Sequence, residues 1–292
     1  MTTSLPQIAY KSDIPLDIEV MTFAQTQAQL NKTEDHDPFS PHKIQFYLIL
    51  IVTKDSYTHY VDFKFYELKK GSILFIAKNQ VHHFTENFQN IEGFCILLNS
   101  QFLEQNYFLS NSIHLDRLYN YHLETPLVTL EGTEGAIFLE TVQNLYIEYN
   151  LEGGFAKAEM LRAYLHILLI KAERAKQLHS TSSVKTLWLE VFNMFKNSLE
   201  VNYVTTRNSK FYAEELRVSY KFLNDVVKKL TGKTVKAFID DFVTIEIKRY
   251  LLSTSLSVKE ISYKTGFDEP ANMTKFFKKN TQITPLKFRQ QV

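Results

Sequence analysis

Two stretches in the last third of this 292-residue chain repeat one helical grammar, and that repetition limits the possible folds more than any other feature. In the first, Phe211 to Val218 reads as a short helix and turn. Ser219 then caps a helix that runs to about Leu230 and stops at Thr231-Gly232. In the second, Ser257-Val258-Lys259-Glu260 has the spacing of a capping box and opens a helix to Lys264. A turn at Thr265-Gly266-Phe267 follows. Asp268 is the expected cap of a further helix, which Pro270 enters within its first turn and which reaches about Lys279. A short helix, a tight turn and a second capped helix make a helix-turn-helix unit. Between the two units, Val235 to Leu252 predicts a continuous helix of about 18 residues and hence about 27 Å. A connector of that length holds two recognition helices over successive major grooves of a duplex whose repeat is about 34 Å.

The charge agrees with this placement. Over the whole chain the net charge is only +1, but residues 1–180 carry 14 Lys and Arg against 21 Asp and Glu, a net of −7. Residues 181–292 carry 19 against 11, a net of +8. An acidic part joined to a basic part is expected when only the basic part meets a polyanion.

Upstream the pattern is different. Phe46 to Thr53, Tyr57 to Tyr66, Ser72 to Ile76, His82 to Thr85 and Gly93 to Leu98 are short runs rich in β-branched and aromatic residues, separated by turn residues, and predict strands. Val61, Phe63 and Phe65 alternate with Asp62 and Lys64, which extends the second run as one strand with a wet face. Strands at this spacing predict a small sandwich or barrel. Glu134 to about Tyr149 and Phe155 to about Leu178 then read as helices, broken apart by Gly153-Gly154. In the second, Leu161, Leu165, Leu168 and Ala172 belong to a heptad seam. Such a seam serves either to pair two subunits or to pack on its own domain. The small polar run from His179 to Ser183 is the expected linker. The domains expected are therefore 1–178, a linker at 179–185, and 186–292.

The single cysteine, Cys95, excludes a disulfide framework and any multi-cysteine metal site. Its apolar neighbours place it in the core. The first ten residues lack a signal-peptide pattern, and the apolar run Phe46 to Val52 is too short to span a bilayer, so a cytoplasmic protein without a membrane partner is expected.

The C-terminal residues also resemble a known family. Ile247-Lys248-Arg249, Leu251-Leu252, Val258, Ile261-Ser262-Tyr263, Gly266-Phe267, Phe276-Phe277-Lys278-Lys279, Thr284-Pro285 and Phe288-Arg289 are similar to the signature of the AraC/XylS regulators. Ala213, Leu216, Val218-Ser219, Leu223, Lys228-Lys229 and Thr231-Gly232-Lys233 resemble the same family's upstream unit. The resemblance implies an α+β chain: an N-terminal cupin-like β-barrel with a helical dimerisation segment, then an all-α domain of two helix-turn-helix units joined by a linker helix. It implies a sequence-specific DNA-binding regulator of transcription, with double-stranded DNA as partner and activation, through RNA polymerase, as the commoner role. By position, the DNA-facing residues of the first unit are Ser219, Tyr220, Lys221, Asn224, Asp225 and Lys228. In the second unit they are Glu269, Ala271, Asn272 and Lys275. Asn bonds adenine bidentately and Lys donates to guanine, which makes Asn224, Asn272 and Lys275 chemically apt readers. Lys278, Lys279 and Arg289 are better placed for phosphate. Asp225 stands where a basic residue is common in the family, and Arg217 stands in a turn that Gly or Asn fills more comfortably.

Leu68 to Ile76 followed by Val81-His82-His83-Phe84 looks like the second cupin motif. A metal-binding cupin needs further ligands upstream, where His59 supplies only one imidazole, so no metal and no cofactor are expected. Phe46, Tyr47, His59, Tyr60, His82 and Phe84 are the expected lining of a pocket for a small organic effector. Two other readings stand beside this one: a cupin-type enzyme fused to a DNA-binding domain, and a regulator whose N-terminal half binds a protein or only forms a homodimer. No nucleotide-binding glycine loop, nucleophile elbow or zincin helix is present, and with Cys95 alone an alkyl-transfer enzyme is disfavoured.

Overall fold

Among the described residues, ten strands build the first half of the chain: β1 (Gln7–Ile8), β2 (Ile18–Thr22), β3 (His42–Ile44), β4 (Tyr47–Lys54), β5 (Ser56–Val61), β6 (Lys64–Lys69), β7 (Ser72–Ile76), β8 (Val81–His83), β9 (Glu92–Leu98) and β10 (Leu127–Thr129). The computed structural model describes residues 6–10, 16–32, 36–99, 102, 116–119, 125–179 and 186–290. The strands form two five-stranded sheets, ordered β1-β3-β8-β5-β6 and β10-β7-β4-β9-β2. Ile44, Tyr57, Val61 and Leu68 of the first meet Leu48, Leu50, Leu74, Ile76 and Cys95 of the second in one core. The alternate residues of the second sheet, Ile49, Ile51, Ile73, Phe75 and Ile96, point the other way into a second core. That explains the unbroken apolar run in β4: a strand covered on both faces has no wet side to alternate with.

The second core is closed by helices. Besides α1 (Phe23–Leu30) and the single turn α2 (Asp116–Tyr119), this unit has α3 (Gly132–Asn150) and α4 (Lys157–His179). Phe138, Val142 and Leu145 of α3 and the whole α4 seam lie in that core. The seam residues Leu161, Leu165, Leu168 and Ala172 are at most 3% exposed, so they pack on their own sheet and are not free to pair subunits. This corrects the dimerisation assignment. A heptad spacing marks a buried stripe without saying what buries it.

A second correction concerns Tyr57 to Tyr66. The run is a hairpin, not one strand: Val61 pairs with Lys64 across Asp62 and Phe63, whose φ angles are 43° and 72°. Two positive φ values are what a tight two-residue hairpin loop requires. The turn is held from a distance, since Asp62 Oδ2 accepts from Gln80 Nε2 at 2.7 Å and Oδ1 accepts from Val81 N–H at 3.2 Å. The short strands β1, β2, β3 and β10 and helix α1 carried no strong local signal and were not expected.

The chain divides between Thr181 and Ser182 into two compact units. Most of the expected linker, residues 180–185, lies outside the described residues. The second unit is all helical: α5 (Thr186–Asn202), α6 (Ser209–Glu215), α7 (Tyr220–Thr231), α8 (Val235–Ser253), α9 (Val258–Lys264), α10 (Pro270–Thr281) and α11 (Pro285–Gln290). Its axis is α8, which is buried on several sides through Phe238, Ile239, Phe242, Val243, Ile247 and Leu251. Phe192 and Phe195 of α5 pack edge-on or tilted against Phe238, with ring centres 5.3 and 5.7 Å away. Arg249 is also buried and ion-paired to Glu246 one turn earlier. Among the described residues no helix is long and apolar enough to cross a membrane.

Candidate nucleic-acid interface

The second helices of the two units, α7 and α10, each turn one apolar edge inward. On α7, Leu223, Val226 and Val227 are buried at the spacing of a helix resting on its neighbours. Tyr220, Lys221, Asp225 and Lys228 lie on its exposed side. On α10, Met273 and Phe277 are buried, while Ala271, Asn272, Lys275, Lys278 and Lys279 are exposed, as is Glu269 just before it. The faces expected to meet DNA are therefore outward on both helices.

Local chemistry sets where these helices begin and end. Ser219 Oγ accepts from Phe222 N–H at 3.1 Å, and Gly232, at φ 72°, terminates α7 in the left-handed region. Ser257 Oγ accepts from Glu260 N–H at 3.2 Å while Glu260 Oε2 accepts from Ser257 N–H at 2.8 Å, the full capping box. The Ser257 hydroxyl, and then its N–H, hold the Glu260 carboxyl below the usual range. Asp268 is not the cap of α10. That place belongs to Glu269, whose side chain makes no cap bond, and Pro270 starts the helix with its φ already set. Gly266 and Arg217 occupy the two turns with φ of 76° and 56°.

Two expected contacts are engaged elsewhere. Asn224 Oδ1 accepts from Val235 N–H at 3.1 Å, which satisfies the first N–H of α8 beside its Thr234 cap and ties it to α7. Bidentate recognition of adenine needs that same oxygen, so the side chain as placed is a brace and not a reader. Arg289 Nε donates to Leu251 O at 3.0 Å and its Nη2 donates to Leu256 O at 2.7 Å. Its guanidinium thus satisfies carbonyls at and just beyond the end of α8, and partial burial lowers its pKa. Arg207, which the sequence did not single out, donates to the carbonyls of Thr265 and Gly266.

In the N-terminal unit the expected pocket residues do not all meet. Phe46 and Phe84 belong to the core between the sheets. His59 Nδ1 lies 2.6 Å from Tyr57 Oη, and His59 Nε2 lies 3.1 Å from His82 Nδ1, so both imidazoles are bonded within that buried layer. Burial holds both far below the usual imidazole range. The His42 ring, 4.4 Å from that of His82, extends the layer, and burial lowers its pKa to about 4. Tyr47 instead faces the helical core and meets Tyr119 at 4.8 Å. Tyr60 points away from His59 and stacks on His83 at 4.5 Å. Adjacent strand residues point to opposite faces, which separates His59 from Tyr60, and Phe46, in the bend before β4, lies in the other core from Tyr47. A cleft of about 480 Å³ lies elsewhere in this unit, lined by Thr129, Leu130, Glu131, Glu134, Lys171 and Arg174. Among the described residues no three His, Cys, Asp or Glu side chains are placed to hold a metal ion. Cys95 is buried in the core, which pushes its thiol up to about 12.

Comparison with known proteins divides the chain in the same way. Residues 212–291 match the family described as a helix-turn-helix domain, and residues 30–116 match the AraC-like ligand binding domain. The HTH-type transcriptional activator RhaS of Escherichia coli O139:H28 is 22% identical over 258 residues, covering 86% of this chain and 88% of that protein. RhaS of Pectobacterium carotovorum subsp. carotovorum is 22% identical over 256 residues, covering 87% and 88%. Among solved structures, ToxT from Vibrio cholerae aligns over 94% of this chain and 98% of its own, with 14% identity and a TM-score of 0.43.

Proposed function

Since this chain belongs to the AraC/XylS family of DNA-binding transcriptional regulators and carries an AraC-like ligand binding domain ahead of its helix-turn-helix domain, we propose that it activates transcription when its N-terminal half takes up a small organic effector. The observation that carries this reading is the pair of exposed helix faces on α7 and α10, joined by the 19 residues of α8, about 28 Å. In this reading Lys221 and Lys228 meet DNA from α7, and Asn272 and Lys275 read bases from α10. Lys278 and Lys279 position the helix on phosphate. The effector binds within the N-terminal unit. Activation is favoured because the relatives above are activators, and RNA polymerase is then the further partner. The chain acts in the cytoplasm as a homodimer that pairs outside the buried α4 seam, and it binds rather than catalyses.

The test is to recover bound duplexes from a random pool and measure affinity for them across salt concentrations. Log affinity falls with log salt by about 0.9 for each phosphate neutralised, and replacing Lys279 with Ala removes about one such step. Affinity that ignores salt contradicts the proposal. A thermal-shift panel of sugars, aromatic acids and fatty acids tests the effector, and stabilisation by none of them counts against it.

A further inference from the structure

The two helix-turn-helix units touch each other directly, away from α8. The loop between α5 and α6 brings Arg207 against the turn of the second unit, where its Nη2 donates to Thr265 O at 2.8 Å and to Gly266 O at 2.7 Å. The guanidinium carbon sits 3.5 Å from the centre of the Phe267 ring. Phe267 in turn packs on Phe276 of α10, with ring centres 5.3 Å apart. The other side of the loop belongs to the first unit. Thr206 O accepts from the hydroxyl of Tyr212 at 2.8 Å, and Asn208 Oδ1 accepts from Lys210 N–H at 3.1 Å to cap α6. No slack remains between the two sides, because a Cβ on Gly266 would come within 2.0 Å of Val204 O.

We infer that Arg207 is a positioning residue for DNA recognition: it sets the rotation of α10 relative to α7, and so the spacing and phase of the two half-sites that the chain accepts. The inference rests on the two-groove reading above. Packing of both units on α8 sets their distance and orientation, and a direct contact away from that axis adds resistance to rotation about it. Arg207 supplies it with the geometry suited to the task. One terminal nitrogen, Nη2, donates to both main-chain carbonyls while the flat guanidinium lies over an aromatic ring, a combination that lysine does not reproduce. Precision of this kind matters because one base pair moves a half-site by about 3.4 Å and turns it by about 34°.

The test uses the full chain and its selected operator, with one or two base pairs inserted or removed between the half-sites. Wild type, Arg207→Ala, Arg207→Lys and Phe267→Leu are compared by dissociation constant on each duplex and by thermal melting. Wild type is expected to lose at least about tenfold in affinity for one inserted pair. Arg207→Ala and Phe267→Leu are expected to lose less than about threefold for the same insertion, with Arg207→Lys between them. A substitution that merely weakened the fold would lower binding to every spacing in parallel, and that result, or an unchanged spacing profile in the variants, would overturn the inference. If Arg207→Ala does not fold, Arg207→Lys and Phe267→Leu carry the same comparison. A wild type that binds DNA yet ignores spacing refutes the two-groove reading itself.

Discussion

Gly266 and Arg217 hold the same place in the two turns, both with positive φ, yet only one of them is glycine. Gly266 is required twice, by its backbone and by the carbonyl of Val204 lying where a Cβ would go. Arg217 is exposed, so its side chain clashes with nothing in the interior and the left-handed backbone alone is strained. Gln282 is in the same position at the end of α10, at φ 66°, where α7 ends on Gly232. Changing Arg217 or Gln282 to Gly is therefore expected to raise unfolding stability, by up to about 1 kcal/mol in denaturant titration. Asn224 divides from Lys275 and Lys279 in the same physical terms. Asn224→Ala removes the bond that ties α7 to the first N–H of α8, leaves the Thr234 cap in place, and is expected to cost about 1 kcal/mol of stability with base preference retained. Lys275→Ala is expected to leave stability alone and relax preference at one base position, at about 1 to 3 kcal/mol, while Lys279→Ala weakens all sequences alike. Equilibrium unfolding and binding to a panel of single-base operator variants separate the three.

At the scale of elements, what could be read from the sequence was what neighbours in sequence decide. The Ser219 and Ser257 caps, the stops at Gly232 and Gly266, and the connector helix all depend on residues within a turn of each other, and all are where the pattern put them. Apart from the Asp268 cap, displaced by one residue to Glu269, the misreadings involve distant partners. The Asp62-Phe63 turn is held by Gln80 and Val81, and Asn224 finds its partner at Val235. Arg207 meets carbonyls nearly sixty residues downstream, and nothing nearby marks it. The α4 seam shows the same limit, since a stripe of leucines is consistent with either of two covers. Because the cover is its own sheet, Leu165→Ala is expected to cost about 2 to 5 kcal/mol and leave the sedimentation mass unchanged. A dissociated but stable monomer would contradict that placement. The histidine layer gives this unit a pH dependence. His59, His82 and His42 have folded-state pKa values below the unfolded value of about 6.5, so the unfolded chain binds protons more readily. Stability from this layer is therefore complete above that value and is lost as pH falls from about 6.5 toward about 4, where His42 titrates in the folded chain. Melting of the N-terminal unit between pH 7 and pH 5 should show the loss, and His82→Gln should flatten it.

Across the whole molecule, the division of charge remains the broadest guide to function. The acidic part contains two facing sheets with a helical cover, and the basic part contains two helices with exposed faces, α7 and α10, on one buried axis. The strand-rich and helical halves were legible because their periodicities differ, two residues in one and 3.6 in the other. The effector pocket was not, because the aromatic residues that mark a binding cavity also fill a core, strand alternation sends Tyr60 away from His59, and Tyr47 packs in a different core from Phe46. The central claim is that α7 and α10 enter adjacent major grooves on one face of the duplex. Hydroxyl-radical footprinting of the full chain on its selected operator tests it most directly. Two protected patches about 10 base pairs apart on the same face are the result expected. One patch alone, or protection that runs evenly around the helix, would contradict it.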